Sequence, residues 1–139
     1  MKVLNLPFTK KLGIIKAENS QYLLQLNYDE KILNHIETIH GSASYALAEI
    51  TSGYFLSKNF SDIAHQTVTI LRSSTTKYKK GCKTNLHSKA KLVDTTLSDV
   101  LLQLKFKRKC LFTIEVKLYN TENALVLTSQ FEWFVTMTK

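Results

Sequence analysis

The chain has 139 residues, of which 44% are hydrophobic and 22% charged, and its formal net charge is +8. This length predicts a single domain over residues 1–139 that can bury a core without disulfides or a structural metal. The chain has four glycines and one proline, which argues against long linkers. No apolar run approaches the roughly 20 residues of a membrane span, which argues against an integral membrane protein.

The first half of the chain is predicted to contain a short helix or turn, two short strands, a polar connection and the strongest helix of the sequence. In chain order these elements cover residues 3–12, 13–17, 20–28, 29–40 and 42–56. The helix is rich in Ala and Leu, and Ser42 is placed to act as its N-cap.

The second half is predicted to be mostly strand. A long β-branched strand, a strand that pairs back on it after Gly81, a short helix and a final β-hairpin follow one another. These elements cover residues 65–78, 83–92, 97–106, 110–119 and 125–137. One early helix followed by a run of antiparallel strands predicts an α+β fold in which one sheet wraps one helix.

The charge is uneven along the chain. From Lys77 to Lys117 there are eleven basic residues against three acidic ones, whereas the first half is nearly balanced. Such a field attracts polyanions such as nucleic acid, anionic lipid or a phosphorylated ligand, and a plainly solvated surface is the alternative. Nucleic acid is disfavoured because no basic strand interleaved with aromatics is present.

The cysteines and the first residues favour a cytoplasmic protein. Cys82 and Cys110 lack Cys-x-x-Cys spacing, so we predict free thiols in a reducing compartment, with a disulfide as the alternative. The N-terminal apolar stretch is interrupted by Asn5 and Pro7, which makes it a poor signal peptide. The four histidines form no ligand pair at helical spacing, so we expect no metal site and no cofactor.

One acidic residue stands in the middle of the predicted helix. Glu49 is surrounded by Ala, Leu, Ile, Tyr and Phe on nearly every side of a helix that must therefore be buried. An unpaired buried carboxylate is costly, and its pKa is expected to rise, as a general base near neutral pH requires. The alternative is that Glu49 lies at a helix edge, in contact with solvent or a lysine.

Two features precede Glu49. In His40-Gly41-Ser42 the glycine lets a ligand approach the backbone, and the N–H groups of the first turn can stabilise an oxyanion. A simple turn glycine is the alternative. Asn34 offers a donor and an acceptor that can position a water or a carbonyl, or can instead stabilise its own loop.

The spacing of these residues carries a resemblance. His40 follows Asn34 by six residues, Glu49 follows His40 by nine, and small residues and a glycine come after it. The pattern resembles the hotdog-fold acyl-CoA thioesterases of the phenylacetyl-CoA thioesterase-like branch, in which an amide residue, a His-Gly-Gly motif and an acidic residue have these spacings. The predicted order of elements agrees with a hotdog fold over residues 12–137.

The resemblance implies roles for three residues. Glu49 would be the general base or nucleophile, the backbone N–H of Gly41 the oxyanion donor, and Asn34 the residue that orients water or substrate. In the family each site lies at a dimer interface, so these groups would come from different subunits of a homodimer or of a dimer of dimers.

The resemblance also implies a substrate-binding set, in which the lysines would meet the phosphates of coenzyme A. This set comprises His40, Ser42, Thr67, Lys77, Lys79, Lys80 and Lys83. The chain departs from the family pattern at Ser42, which replaces the second glycine, and over residues 93–109, which are longer than a hairpin loop and predict an extra helix.

The resulting hypothesis is an acyl-CoA or acyl-carrier thioesterase. The alternative is a non-catalytic hotdog module that binds an acyl ligand or a partner protein. A hotdog hydratase is weaker, because Asp29 and His35 do not form the Asp/His motif of those enzymes.

Overall fold

A six-stranded antiparallel sheet curls around one long helix in the computed structural model, which describes residues 2–138. The sheet order is β1-β2-β4-β5-β6-β3. The strands are β1 (Ile14–Lys16), β2 (Leu24–Leu26), β3 (Thr67–Tyr78), β4 (Leu86–Val93), β5 (Lys109–Tyr119) and β6 (Leu125–Met137), and the helices are α1 (Pro7–Leu12), α2 (Gly41–Asn59) and α3 (Leu97–Lys107). The predicted α+β fold is confirmed. No helix in residues 2–138 has the length and apolar character needed to cross a bilayer.

The long helix α2 is largely buried against the concave face of the sheet, as its composition predicts. Leu47 and Ala48 are completely buried, and so are the polar residues Thr51 and Ser52. The Thr51 hydroxyl lies 2.7 Å from both the Leu47 carbonyl and the Ser88 hydroxyl of β4. This buried polar group therefore has hydrogen-bond partners inside the core.

The cap of α2 differs from the prediction. His40, and not Ser42, is the N-cap, and its Nδ1 accepts a hydrogen bond from the Ser42 N–H at 3.0 Å. A ring nitrogen thus satisfies one of the first-turn donors that otherwise lack an acceptor. Ser42 lies inside the first turn with its side chain exposed.

The predicted pairing of the strands before and after Gly81 is wrong. β3 pairs with β6, whereas β4 lies between β2 and β5. Residues 79–85 are therefore a crossover past the N-terminal end of α2, held by a bond from the Ile39 N–H to the Cys82 carbonyl at 2.9 Å. A Cβ on Gly81 would lie 3.0 Å from Thr38 Cγ2, so the glycine permits close packing and does not form a hairpin turn.

The predicted extra helix and final hairpin are both present. Thr96 caps α3 by accepting from the Asp99 N–H at 3.2 Å, and the side chains of Val100 and Leu104 are buried. Asn120 closes the β5–β6 turn by accepting from two backbone N–H groups, those of Glu122 and Ala124. Cys82 and Cys110 are free thiols, as predicted, and both are buried.

Candidate active site

Glu49 lines a cavity of about 350 Å³ between α2, α3 and the β3–β6 edge of the sheet. Most of the lining is apolar, and Gly53, one turn after Glu49, leaves room beside the carboxylate. The apolar wall includes Leu6, Ile50, Leu56, Phe60, Leu104 and Trp133. The volume falls at the lower end of the range of small-molecule sites.

The electrostatics of Glu49 are set by burial. Its side chain is half-buried, and this desolvation raises the pKa of the carboxyl above its ordinary value. Within residues 2–138 the carboxylate makes no hydrogen bond or ion pair. Glu49 therefore combines a raised pKa with oxygens that are open to a ligand, which suits a proton acceptor or a nucleophile.

Two residues that sequence reasoning did not single out support this wall. The Trp133 indole N–H donates to the Ser52 hydroxyl at 3.1 Å, and that hydroxyl donates to the Glu49 carbonyl at 2.7 Å. Trp133 is the only tryptophan of the chain, and this was the one feature of the sequence that could have drawn attention to it. Its partner lies 81 positions earlier, so no local pattern points to the contact.

Thr67, the first residue of β3, lines the same cavity as Glu49, together with Thr69. The structure therefore brings two of the sequence-predicted residues, Glu49 and Thr67, to one place. The threonine side chains, like that of Ser57, add polar groups to a wall that is mostly apolar.

Gly41 lies at the N-terminal end of α2, away from the Glu49 cavity. It is eight residues before Glu49 on the same helix, which separates the two by about 12 Å along the axis. Within residues 2–138 its N–H has no acceptor, and the Tyr78 ring packs against it, 3.4 Å from where a Cβ would lie. One chain alone does not bring Gly41 and Glu49 to a common point.

Asn34 is occupied by its own loop. Its Oδ1 accepts from the N–H groups of Ile36 and Thr38 at 3.1 and 3.0 Å, and its Nδ2 donates to the Thr38 hydroxyl at 2.6 Å. These bonds shape the turn that leads into α2 through Ile39 and His40. Asn34 thus belongs to the Gly41 end of the helix and does not line the Glu49 cavity.

The remaining predicted residues also cluster near the Gly41 end. His40 and Ser42 are exposed beside α1, in a shallow pocket with Phe8. The four lysines are exposed at the end of β3 and in the crossover beside the α2 N-terminus. These are Lys77, Lys79, Lys80 and Lys83.

β3 connects the two groups of residues. Thr67 at its start lines the Glu49 cavity, Tyr78 at its end lies against Gly41, and a bond of 2.7 Å between the Tyr45 and Ser74 hydroxyls ties its middle to α2. Within residues 2–138 its outer edge has no partner strand, and Ile70 is 53% exposed. A long uncovered edge strand is a ready site for pairing with another chain.

A family model described as a domain of unknown function, DUF4442, matches residues 6–135. The chain belongs to the DUF4442 family. No curated protein sequence matches this DUF4442 protein.

Solved structures show that the DUF4442 protein has the hotdog fold. A Pseudomonas aeruginosa protein of unknown function, described as a probable thioesterase, superposes with a TM-score of 0.82 at 17% identity, over 97% of this chain and 91% of that one. A Bacillus halodurans protein solved with CoA superposes with a TM-score of 0.63 at 17% identity, over 81% of this chain and 65% of that one. The resemblance to hotdog-fold thioesterases is confirmed at the level of fold.

A third neighbour, a thioesterase of Staphylococcus aureus, has a TM-score of 0.71 at 13% identity, over 94% of this chain and 99% of that one. One structure of that protein carries alanine in place of a glutamate, and another carries alanine in place of a glutamine 15 positions earlier. Asn34 lies 15 positions before Glu49 here, so both chains separate an amide and a glutamate by the same number of residues.

Proposed function

We propose that this DUF4442 protein hydrolyses an acyl thioester, with Glu49 as general base or nucleophile. The observation that carries the proposal is the Glu49 carboxylate itself, which is half-buried, unpaired within residues 2–138 and open to an apolar cavity. A buried carboxylate without a cation is destabilising, so its position in the helix needs a reason other than stability. The names of the structural neighbours support the same class of reaction.

A second copy of the chain would complete the site. If two β3 edges pair antiparallel about a two-fold axis, the Thr67 end of one strand faces the Tyr78 end of the other. Because Thr67 lies at the Glu49 cavity and Tyr78 lies against Gly41, this pairing brings the partner subunit's Gly41 toward Glu49. We propose a homodimer, alone or paired into a tetramer, as the active form.

The chemistry then divides between the two subunits. The thioester carbonyl oxygen would accept a hydrogen bond from the Gly41 N–H, which stabilises the negative charge that develops on this oxygen. Glu49 would take a proton from water as the hydroxide attacks the carbonyl carbon. The C–S bond then breaks, the thiolate takes the proton from Glu49, and the products are a carboxylic acid and a thiol. As a nucleophile, Glu49 would instead attack the carbonyl carbon, and the C–S bond would break to give an anhydride and a thiolate. Water would then hydrolyse the anhydride to the carboxylic acid and free Glu49, and the thiolate would take up a proton.

Asn34 would orient the water or the substrate from the same loop as Gly41. One Nδ2 hydrogen binds Thr38, which leaves the second available to a ligand within the described part of the chain. Its other bonds hold the turn that presents His40 and Gly41, so we propose a positioning role as well as a direct one.

Coenzyme A is the carrier that the surface charges support best, and an acyl carrier protein is the second candidate. Lys79, Lys80 and Lys83 are exposed beside the α2 N-terminus, where they can meet a diphosphate and a 3′-phosphate as point charges. The CoA bound to the Bacillus halodurans protein supports this choice. Two free, buried thiols fit the reducing cytoplasm, which we propose as the location.

Hydrolysis of acyl-CoA thioesters of graded chain length by the wild type and by Glu49→Gln tests the proposal. Loss of a base or nucleophile should lower the rate on the order of 10²-fold or more. If neither protein hydrolyses any thioester, yet acyl-CoA raises the melting temperature of both, the protein is an acyl-binding module.

A further inference from the structure

Helix α3 presents apolar side chains to solvent on the side that faces away from the core. Val100 and Leu104 are buried, whereas Leu102 and Phe106 lie on the opposite side of the helix, 52% and 75% exposed. Residues four apart share one face of a helix, so these two side chains form a continuous apolar ridge. Nothing in residues 2–138 covers it.

The ridge is flanked by positive charge. Lys105, Lys107, Arg108 and Lys109 are exposed at the C-terminal end of α3, and within residues 2–138 none of them forms an ion pair. The Lys105 ammonium lies 5.6 Å from the centre of the Phe106 ring. The one acidic residue of α3, Asp99, lies in the first turn, about 10 Å away along the axis. The α3 patch is defined as Leu102, Phe106 and the four cations.

We propose that the α3 patch binds the surface of an anionic lipid bilayer. An amphipathic helix with Phe and Leu outward and Lys and Arg beside them inserts its apolar side chains at the boundary of headgroups and acyl chains, while its cations meet lipid phosphates. A protein partner is less suited to this surface, because a ridge needs a matching groove and charged residues are depleted at the centre of protein interfaces.

Docking through α3 would also place the Glu49 cavity near the membrane. Leu104, on the inner side of the same helix, lines the Glu49 cavity, so docking would hold that cavity close to the membrane surface. This consequence rests on the proposed function, since long acyl chains partition into bilayers. The docking itself does not, and it is measured without any enzymatic assay.

Flotation of the full chain with vesicles tests the proposal. At about 0.1 M salt, where the Debye length is about 10 Å, we expect binding to phosphatidylcholine vesicles that contain phosphatidylglycerol and little binding to phosphatidylcholine alone. Phe106→Ser should lower the partition coefficient about tenfold. Lys105→Glu with Lys107→Glu should lower it about 25-fold or more, since each cation contributes about fivefold.

Matched controls are available on α1. Phe8→Ser removes a ring that is 61% exposed, and Lys10→Glu with Lys11→Glu changes the net charge by the same amount as the α3 double variant. Both should bind nearly as the wild type does. The proposal is wrong if the α3 and α1 variants bind alike, or if the wild type does not float with the anionic vesicles.

The Phe106→Ser variant also tests two other occupants of the α3 patch, a second copy of the chain and an acyl carrier protein. If Phe106→Ser reduces the molar mass by light scattering and leaves vesicle binding unchanged, a second copy covers the patch and the proposal is wrong. It is equally wrong if an acidic acyl carrier protein binds through Phe106 while vesicles do not.

Discussion

The Trp133 indole N–H donates to the Ser52 hydroxyl across 3.1 Å and so joins β6 to α2 one turn beyond Glu49. Because the Ser52 hydroxyl also donates to the Glu49 carbonyl, one buried side chain links the wall of the cavity to the backbone of the proposed catalytic residue. The contact therefore positions the helix against the sheet at the point where the candidate site lies.

Ser52→Ala should destabilise the protein by about 1–3 kcal/mol, since the partly buried indole N–H loses its acceptor. Ser57→Ala is the matched control, because the Ser57 hydroxyl makes the same type of bond to the carbonyl three residues earlier without a partner on the sheet. In urea unfolding, Ser52→Ala should have a clearly lower free energy of unfolding than Ser57→Ala. Equal stability would show that the indole bond contributes little.

The raised pKa of Glu49 predicts how stability depends on pH. The carboxyl pKa in the folded chain lies above its ordinary value of 4.5, so the folded state binds this proton more tightly than the unfolded state. The free energy of unfolding therefore falls as pH rises through the window above 4.5. Glu49→Gln should be more stable than the wild type at neutral pH, and this gain should vanish in acid.

The stability difference between Glu49→Gln and the wild type is measured by thermal unfolding from acid to neutral pH. Glu122→Gln is the control, because it removes an exposed carboxylate. A Glu49→Gln variant that loses stability at neutral pH would mean that the carboxylate has a stabilising partner. The same pKa predicts that kcat/KM rises with pH through that window, because the base must be ionised.

Gly53→Ala should stabilise the protein by about 0.5–1 kcal/mol. Glycine is unfavourable within a helix, and a Cβ at this position would meet nothing within 4 Å. Because Gly53 lines the cavity, the new methyl group should also shift the preferred acyl chain to a shorter length. Gly81→Ala is the informative contrast and should destabilise, since its Cβ would lie 3.0 Å from Thr38.

Asn34→Ala should lower the free energy of unfolding by about 1–3 kcal/mol, because two backbone N–H groups and the Thr38 hydroxyl lose their partner. Asn34→Asp keeps the two acceptor bonds and should cost less. Its activity should nevertheless fall, because the Nδ2 donor is gone. Wild-type kcat for Asn34→Asp would rule out the direct orienting role.

Local signals explain which parts of this fold were predictable. α2 and the β5–β6 hairpin were found because helical composition and the Asn-rich turn at Asn120 act over a few residues. Glycine between two strand-like segments suggested a hairpin at Gly81, although β3 and β4 are separated in the sheet. Strand pairing depends on the whole sheet, which no local pattern encodes.

The candidate site divides in the same way. The spacing of Asn34, Gly41 and Glu49 was visible in the sequence, and the predicted helix already separates Gly41 from Glu49 by about 12 Å. The path of β3 from the Glu49 cavity to Gly41 was not predictable, because it depends on the order of the strands in the sheet. Trp133 was missed because its partner, Ser52, is distant in sequence.

The central claim is that Glu49 of one subunit works with the Gly41 N–H of the other. Gly41→Pro removes that N–H at the first helical position, where proline is favoured, and His40 already has the extended backbone (φ −57°, ψ 137°) that a following proline requires. Each of the variants Glu49→Gln and Gly41→Pro should be nearly inactive alone.

Mixing the two variants after reversible dissociation, and then assaying acyl-CoA hydrolysis, is the most direct test. With equal amounts of the two variants, half of the dimers would be mixed, and each mixed dimer would contain one intact site, so roughly a quarter of wild-type activity should return. If both variants stay folded and inactive and the mixture also stays inactive, the two residues do not act across a dimer interface and the account is contradicted.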